Sequence, residues 1–311
     1  METAAGTKVT IGDGGLFAQP FQSLVNADDE YEYASCQDTR SVVNTPYGVF
    51  WMSRNSGKVL WYYSGSITDI AMNGMRYWFV EHLPNVLTTQ FPDFPHVENT
   101  VMGIGCQTTY DTQYEIVYFC KRDFKAKADN VKYNKDLDYF YISKQSGEIR
   151  IELGDPEYFE DCSWTVSYDP KTKMWLSFHD WHPNHVLGTN DHFYTVKDKG
   201  FWKHNDVCNS YCNYYGVDYK YEVEIPINTG VGITTMKSVE YYLEVLNYSQ
   251  DCIDPYHVLN ANFDYAMIYN TEQNSGLLKL NLRPYSPSEM LNYPKVTPYG
   301  IEVLFSKEEN K

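Results

Sequence analysis

Short runs in which apolar and polar residues alternate, joined by turn residues, recur over positions 48–282. That pattern predicts antiparallel hairpins. The plainest pairs GVFWMSR with VLWYYSG across Asn55, Ser56 and Gly57, residues that tolerate the left-handed backbone a tight turn requires. DYFYISK and EIRIEL flank Gln145, Ser146 and Gly147. SWTVSYD and MWLSFHD flank Pro170, Lys171 and Thr172, and HFYTVK and FWKHN flank Asp198, Lys199 and Gly200. A fifth run, AMIYNTEQNSGLLKLNL, turns at Asn274, Ser275 and Gly276.

Hairpins at this density predict an all-β chain. Trp51, Trp61, Trp164, Trp175 and Trp202 lie beside the turns, which favours propeller-like blades, although a sandwich gives a similar text. No repeat of fixed length aligns, so blade number is not legible. From Tyr211 the texture shifts to longer alternating runs, YKYEVEIPI and TTMKSVEYYLEVLNY, expected to form a half-buried antiparallel sheet. This predicts a hairpin-rich, propeller-like region over 1–206 and a second antiparallel β domain over 207–311.

Two short helices are expected among the strands. Asn73 is placed to cap a segment in which Met75, Trp78, Phe79 and Leu83 share a face before Pro84 stops it. Ser286, Pro287 and Glu289 form a capping box with proline at the first helical position. The lysine-rich run KRDFKAKADNVKYNKDLD, starting at Lys121, lacks apolar periodicity and reads as a long loop between strands, a candidate mobile contact arm.

Composition adds that rings carry much of the apolar surface: Phe, Trp and Tyr make up 16% of the chain. Rings fit pleated strands and large contact surfaces, which argues against disorder and coiled coil. A net charge of −16 repels a phosphate backbone, so a dedicated DNA or RNA reader is disfavoured. The same charge suits a surface that nucleic acid passes without adhering. The N-terminus lacks the apolar core of about 7–15 residues of a secretory signal, and no run reaches the ~18 apolar residues of a membrane span. The chain therefore reads as soluble and not itself exported, and its ends look like those of an excerpt from something longer. Seven scattered cysteines without a C-x-x-C are expected to be free thiols.

Few constellations offer chemistry. His179, His182, His185, His192 and His204 crowd together, with Cys208 and Cys212 just beyond. A metal site on His179, His182 and His185 needs converging ligands, but Trp181 and Pro183 break the helix that would align them. Ordinary hydrogen bonding in a turn is the favoured reading, and no cofactor is expected. Asn134, Asp136 and Asp138 have calcium-loop spacing, yet Tyr139 stands where glycine is needed and Gln145 where the bidentate glutamate belongs. Asp28, Asp29 and Glu30 read as a charged turn rather than an ion site. GDGG at 12–15 lacks the third glycine and the Lys-Ser or Lys-Thr pair of a phosphate loop, and no G-x-S-x-G or H-E-x-x-H occurs. No catalytic residue is nominated. The tyrosines and tryptophans could stack on sugars, but such rings beside hairpins favour core or subunit interface.

VTIGDGGLFAQP, NTPYGVFW with SGK, SWTVSYDPKTKMWLSFHDWHPN, FWKHN, and YNTEQNSGLLKLNL with the later SKEEN together resemble a tail protein family of crAss-like bacteriophages, the tail stabilization or muzzle proteins. The resemblance covers most of the chain and rests on several ordered motifs. It implies a non-enzymatic virion protein, made in the bacterial cytoplasm and assembled in many copies with other phage tail proteins where DNA leaves a short tail. A homo-oligomeric ring is expected. Family members are considerably longer than 311 residues, so this chain would be a fragment or processed domain of one. The alternative is a propeller at the tail tip that binds or hydrolyses a host surface glycan.

Overall fold

A computed structural model of the chain describes residues 35–145, 147–205, 211–227 and 263–280 and, as backbone alone, 246–248, 255–257, 281–282, 295–297 and 300–305. Among the described residues the fold is mostly β, with two α-helices and several antiparallel sheets. No helix among the described residues is long and apolar enough to cross a membrane. Contacts divide the chain into one unit of Met1–Asp206 with Tyr214–Tyr219 and another of Val207–Asn213 with Lys220–Lys311.

The first unit opens with an antiparallel meander: β1 (Val43–Thr45), β2 (Gly48–Ser53), β3 (Lys58–Tyr63) and β4 (Ser66–Asp69). The β2–β3 turn closes on Gly57, left-handed at φ 63°. Gly48 is required more strictly: at φ 114°, a Cβ there would stand 2.3 Å from the Tyr62 carbonyl oxygen. After a 3-10 turn at Ile70–Met72, whose first free N–H is taken by the Asp69 side chain, comes α1 (Arg76–His82). Its Phe79 and the following Leu83 are buried, as the spacing predicts. Asn73 does not cap it; Met75 occupies the cap position, and the Asn73 amide donates to the Lys173 carbonyl instead. The second helix, α2 (Val86–Gln90), follows at once. The expected helix at Ser286 lies outside the described residues.

Strands β5 (Gly105–Asp111) and β6 (Ile116–Arg122) form the next hairpin, and the chain then leaves the sheet for forty-odd residues. This excursion contains β7 (Phe124–Ala126), a three-stranded meander of β8 (Val131–Asn134), β9 (Tyr139–Lys144) and β10 (Gly147–Ile151), and β11 (Phe159–Asp161), which pairs back onto β7. The run expected to be a mobile loop is thus ordered. Phe124, Ala126 and Val131 are buried while Lys125 points out, an alternation too short to stand out among the lysines. The chain returns as β12 (Trp164–Asp169), beside β6, and β13 (Met174–His179), completing a central sheet of order β13-β12-β6-β5.

Both faces of this sheet are covered. Val117 and Phe119 of β6, Cys106 and Tyr110 of β5, and Trp164, Val166 and Tyr168 of β12 face a core completed by Phe50, Met52 and Val59 of the first sheet and Phe79 of α1. The intervening Tyr118 and Cys120 face the opposite way, toward Trp181 and a third sheet of β14 (His185–Gly188), β15 (Phe193–Lys197) and β16 (Gly200–Lys203). That is strand alternation serving two cores at once. A ribbon of β17 (Asn213–Tyr214) and β18 (Val217–Asp218) brings Tyr214 and Tyr215 onto the second core. A third core joins Leu87, Phe94 and Ile104 to Phe124, Phe140, Ile142 and Phe159 of the excursion.

In the second unit β19 (Leu246–Tyr248) pairs with β20 (Pro255–His257). A four-stranded sheet runs β21 (Tyr265–Ala266), β22 (Leu278–Leu282), β24 (Gly300–Phe305) and β23 (Lys295–Thr297). It is not wholly antiparallel, since β22 and β24 run parallel. YKYEVEIPI, expected to be a half-buried strand, belongs to no strand over 219–227, and its side chains from Tyr221 onward are exposed.

Candidate functional site

Four of the five tryptophans beside the turns are held inside. Trp51 and Trp164 are buried, and Trp61 and Trp175 are half-buried against the first core. Their indoles are anchored: Trp61 Nε1 donates to the Tyr47 carbonyl at 2.7 Å, Trp175 to that of Ile70 at 3.1 Å, and Trp164 to that of His82 at 3.2 Å. A buried indole with its N–H satisfied packs as core rather than as an open platform. Trp202 is the exception at 36% exposure, next to exposed Phe201. Trp181, which the sequence marks only as a helix breaker, is the largest of the fully buried side chains.

The histidines do not converge. His179 Nε2 lies 3.0 Å from Ser167 Oγ, His182 Nδ1 lies 3.6 Å from the Asp161 carboxylate, and His185 heads β14 on a different sheet. His204 Nε2 meets Thr195 Oγ1 at 2.7 Å, and Thr195 in turn meets the Tyr215 hydroxyl at 3.0 Å. Burial drives His179 down to about 4, and burial, reinforced by repulsion when His179 is protonated, does the same to His204. Both are neutral rings packed on Trp181. Among the described residues no three His, Cys, Asp or Glu side chains are grouped to hold a metal ion. With His179 and His182 on separate partners and His185 on another sheet, protein prepared without a histidine tag is expected to carry far less than one equivalent of zinc after dialysis, measured by elemental mass spectrometry.

The calcium-like spacing also resolves into local bonds. Asn134 Oδ1 accepts from the N–H groups of Asp136 and Leu137, while Asp138 takes the Tyr133 hydroxyl at 2.5 Å and His96 Nε2 at 2.7 Å. Hydrogen bonds from Tyr133 and His96 hold the Asp138 carboxyl below its usual range. GDGG and the 28–30 acids lie outside the described residues.

The sharpest polar constellation was not legible in the sequence. Lys121, on β6, has 1% of its side chain exposed; its ammonium donates to the carbonyls of His82 (2.9 Å) and Pro84 (2.8 Å) and to Asp123 Oδ2 (2.7 Å). Asp123, wholly buried, also accepts from the N–H groups of Val86 (2.7 Å), Leu87 (3.2 Å) and Phe124 (3.0 Å). It therefore serves as the remote cap of α2. Four of these bonds tie β6 and the residue after it to the stretch His82–Leu87, so the network fastens α2 and its approach to the central sheet.

What remains on the outside is an apolar rim. Met174, Leu176 and Phe178 of β13 are 49–63% exposed, and Met72 ahead of α1 and Tyr77 and Val80 on it are also exposed. An open depression lined by Met72, Gly74, Arg76 and Tyr77 carries Arg76 as its one charged group. No family model matches the chain, and no curated protein matches it.

Proposed function

We propose that this chain is a structural component of a short phage tail, a subunit of the tail-tip assembly that stabilises the tail around the genome exit. The motif resemblance to the crAss-like tail stabilization proteins supplies the family. The observation that carries the physical side is the apolar rim of β13 and α1 on a chain of net charge −16. A strongly acidic protein gains solubility from its charge, so the exposed Met, Leu, Phe and Tyr side chains along β13 and α1 suit surfaces made to be covered. In this reading the face-to-face sheets are propeller-like blades, the partners are further copies and other tail proteins, and the acidic surface lets DNA pass. Specific nucleic-acid binding has no part in it.

Immunogold labelling of intact and DNA-emptied particles tests the proposal. Gold confined to the tail tip is the expected result. Protein present in infected cells with no gold on either particle overturns it, and binding or turnover of host capsular glycan becomes the question.

A further inference from the structure

Two exposed features of the chain have the pattern of strands that form sheets. The first is the outer edge of β13, which among the described residues pairs with β12 alone. Between Met174 and His179 it carries no Lys, Arg, Asp, Glu or Pro, the side chains that blunt an open edge. Its one irregularity is a bulge opposite Ser167 and Tyr168, which leaves exposed Leu176 without a cross-strand partner on β12. The second is the segment 221–227. Tyr221, Val223, Ile225 and Ile227 alternate with Glu222, Glu224 and Pro226, the period of a strand, yet the segment joins no strand and the four apolar side chains are 52–70% exposed.

We propose that residues 221–227 of one copy add as a strand to the β13 edge of a second copy. This rests on the reading of the chain as an assembly subunit and names the contact that builds the assembly. Strand addition at an open edge gives main-chain hydrogen bonds, and alternate side chains supply the selectivity. Val223, Ile225 and Ile227 share one face of the added strand and meet Phe178 on the face that carries Trp175, the bulge at Leu176 having turned Met174 to the opposite face. Charge matches as well: exposed Lys173 stands immediately before β13, and Glu222 and Glu224 occupy the polar positions of the incoming strand. Pro226 is compatible with a strand that becomes the new outer edge. Since donor and acceptor are different surfaces, the contact runs head to tail, the type that closes into a ring when the rotation allows.

The test uses two full-length variants, an edge-blocked Met174→Lys/Leu176→Lys and a strand-blocked Val223→Lys/Ile225→Lys, each checked for native circular dichroism and weighed by sedimentation velocity. All four positions are exposed, so both variants are expected to fold. The wild type is expected to form multi-subunit species and each variant alone to stay monomeric. An equimolar mixture is expected to stop at a one-to-one dimer, because only one intact edge and one intact strand survive in it. Wild-type assembly that persists in either variant, or a mixture that stays monomeric, overturns this contact and leaves the tail reading standing. A wild type that is monomeric at every concentration overturns the contact and the ring together, while the immunogold result still decides the tail location.

Discussion

Replacing Asp123 by alanine is expected to destabilise the first unit by about 3–5 kcal/mol, because it strands a buried charge. That corresponds to a fall in thermal midpoint on the order of 10 °C for a unit of this size. Lys121 keeps its two carbonyl partners at 2.8 and 2.9 Å but loses its ion-pair carboxylate, in a site with 1% side-chain exposure. The same substitution leaves the N–H groups of Val86 and Leu87 without their acceptor, so α2 frays at its start. The paired variant Lys121→Met/Asp123→Leu is expected to recover much of the loss, since apolar replacement of a buried pair leaves no charge uncompensated. A midpoint for Asp123→Ala within 2 °C of wild type by calorimetry would falsify this account of the network.

The second large effect is acid sensitivity between pH 6.5 and 4. His179 and His204 are held near 4 in the folded chain, chiefly by burial, against an ordinary value of about 6.5 when unfolded. Over that interval the unfolded chain binds protons that the folded chain refuses, so stability falls as pH falls and is fully present above 6.5. Two such sites give a slope approaching roughly 2.7 kcal/mol per pH unit in the middle of the window. His185, also lowered by burial, pulls the same way. Urea midpoints measured from pH 7 to 4 are expected to drop steeply, and the double variant His179→Gln/His204→Gln to flatten the curve. An unchanged slope in that variant would place the acid sensitivity elsewhere. Carboxylates stabilised by hydrogen bonds, such as Asp161 held at about 2 by His182 and Ser163 despite its burial, release their contribution only below this window.

The hairpins were legible because both of their determinants are local. Strand alternation and turn residues lie within a dozen positions, and β2–β3, β9–β10, β12–β13 and β15–β16 all form where the text places them. Helix α2 was not legible, because its cap comes from Asp123, 37 positions from Val86. Lys121 was hidden for a similar reason: a lysine amid lysines reads as solvated, and only the carbonyls of His82 and Pro84 make it interior. YKYEVEIPI shows the converse. Alternation states what a strand would bury and is silent on whether the same chain supplies a partner. The histidines crowd in sequence but disperse in space, since one ends β13, the next follows it and His185 begins β14 on another sheet.

The excursion between β6 and β12 leaves and re-enters the central sheet at one place: the Cys162 N–H reaches the Asp123 carbonyl at 3.0 Å, and the Asp123 N–H reaches Ser163 Oγ at 3.2 Å. Its stem alone would let it be cut out and the hairpin resealed. Its interior would not, because Leu87, Phe94 and Ile104 come from a separate stretch ahead of β5. Deleting either piece strips the lining from the other. The two stretches are one folding unit written in two places, so a shortened chain keeps this core only if both are kept.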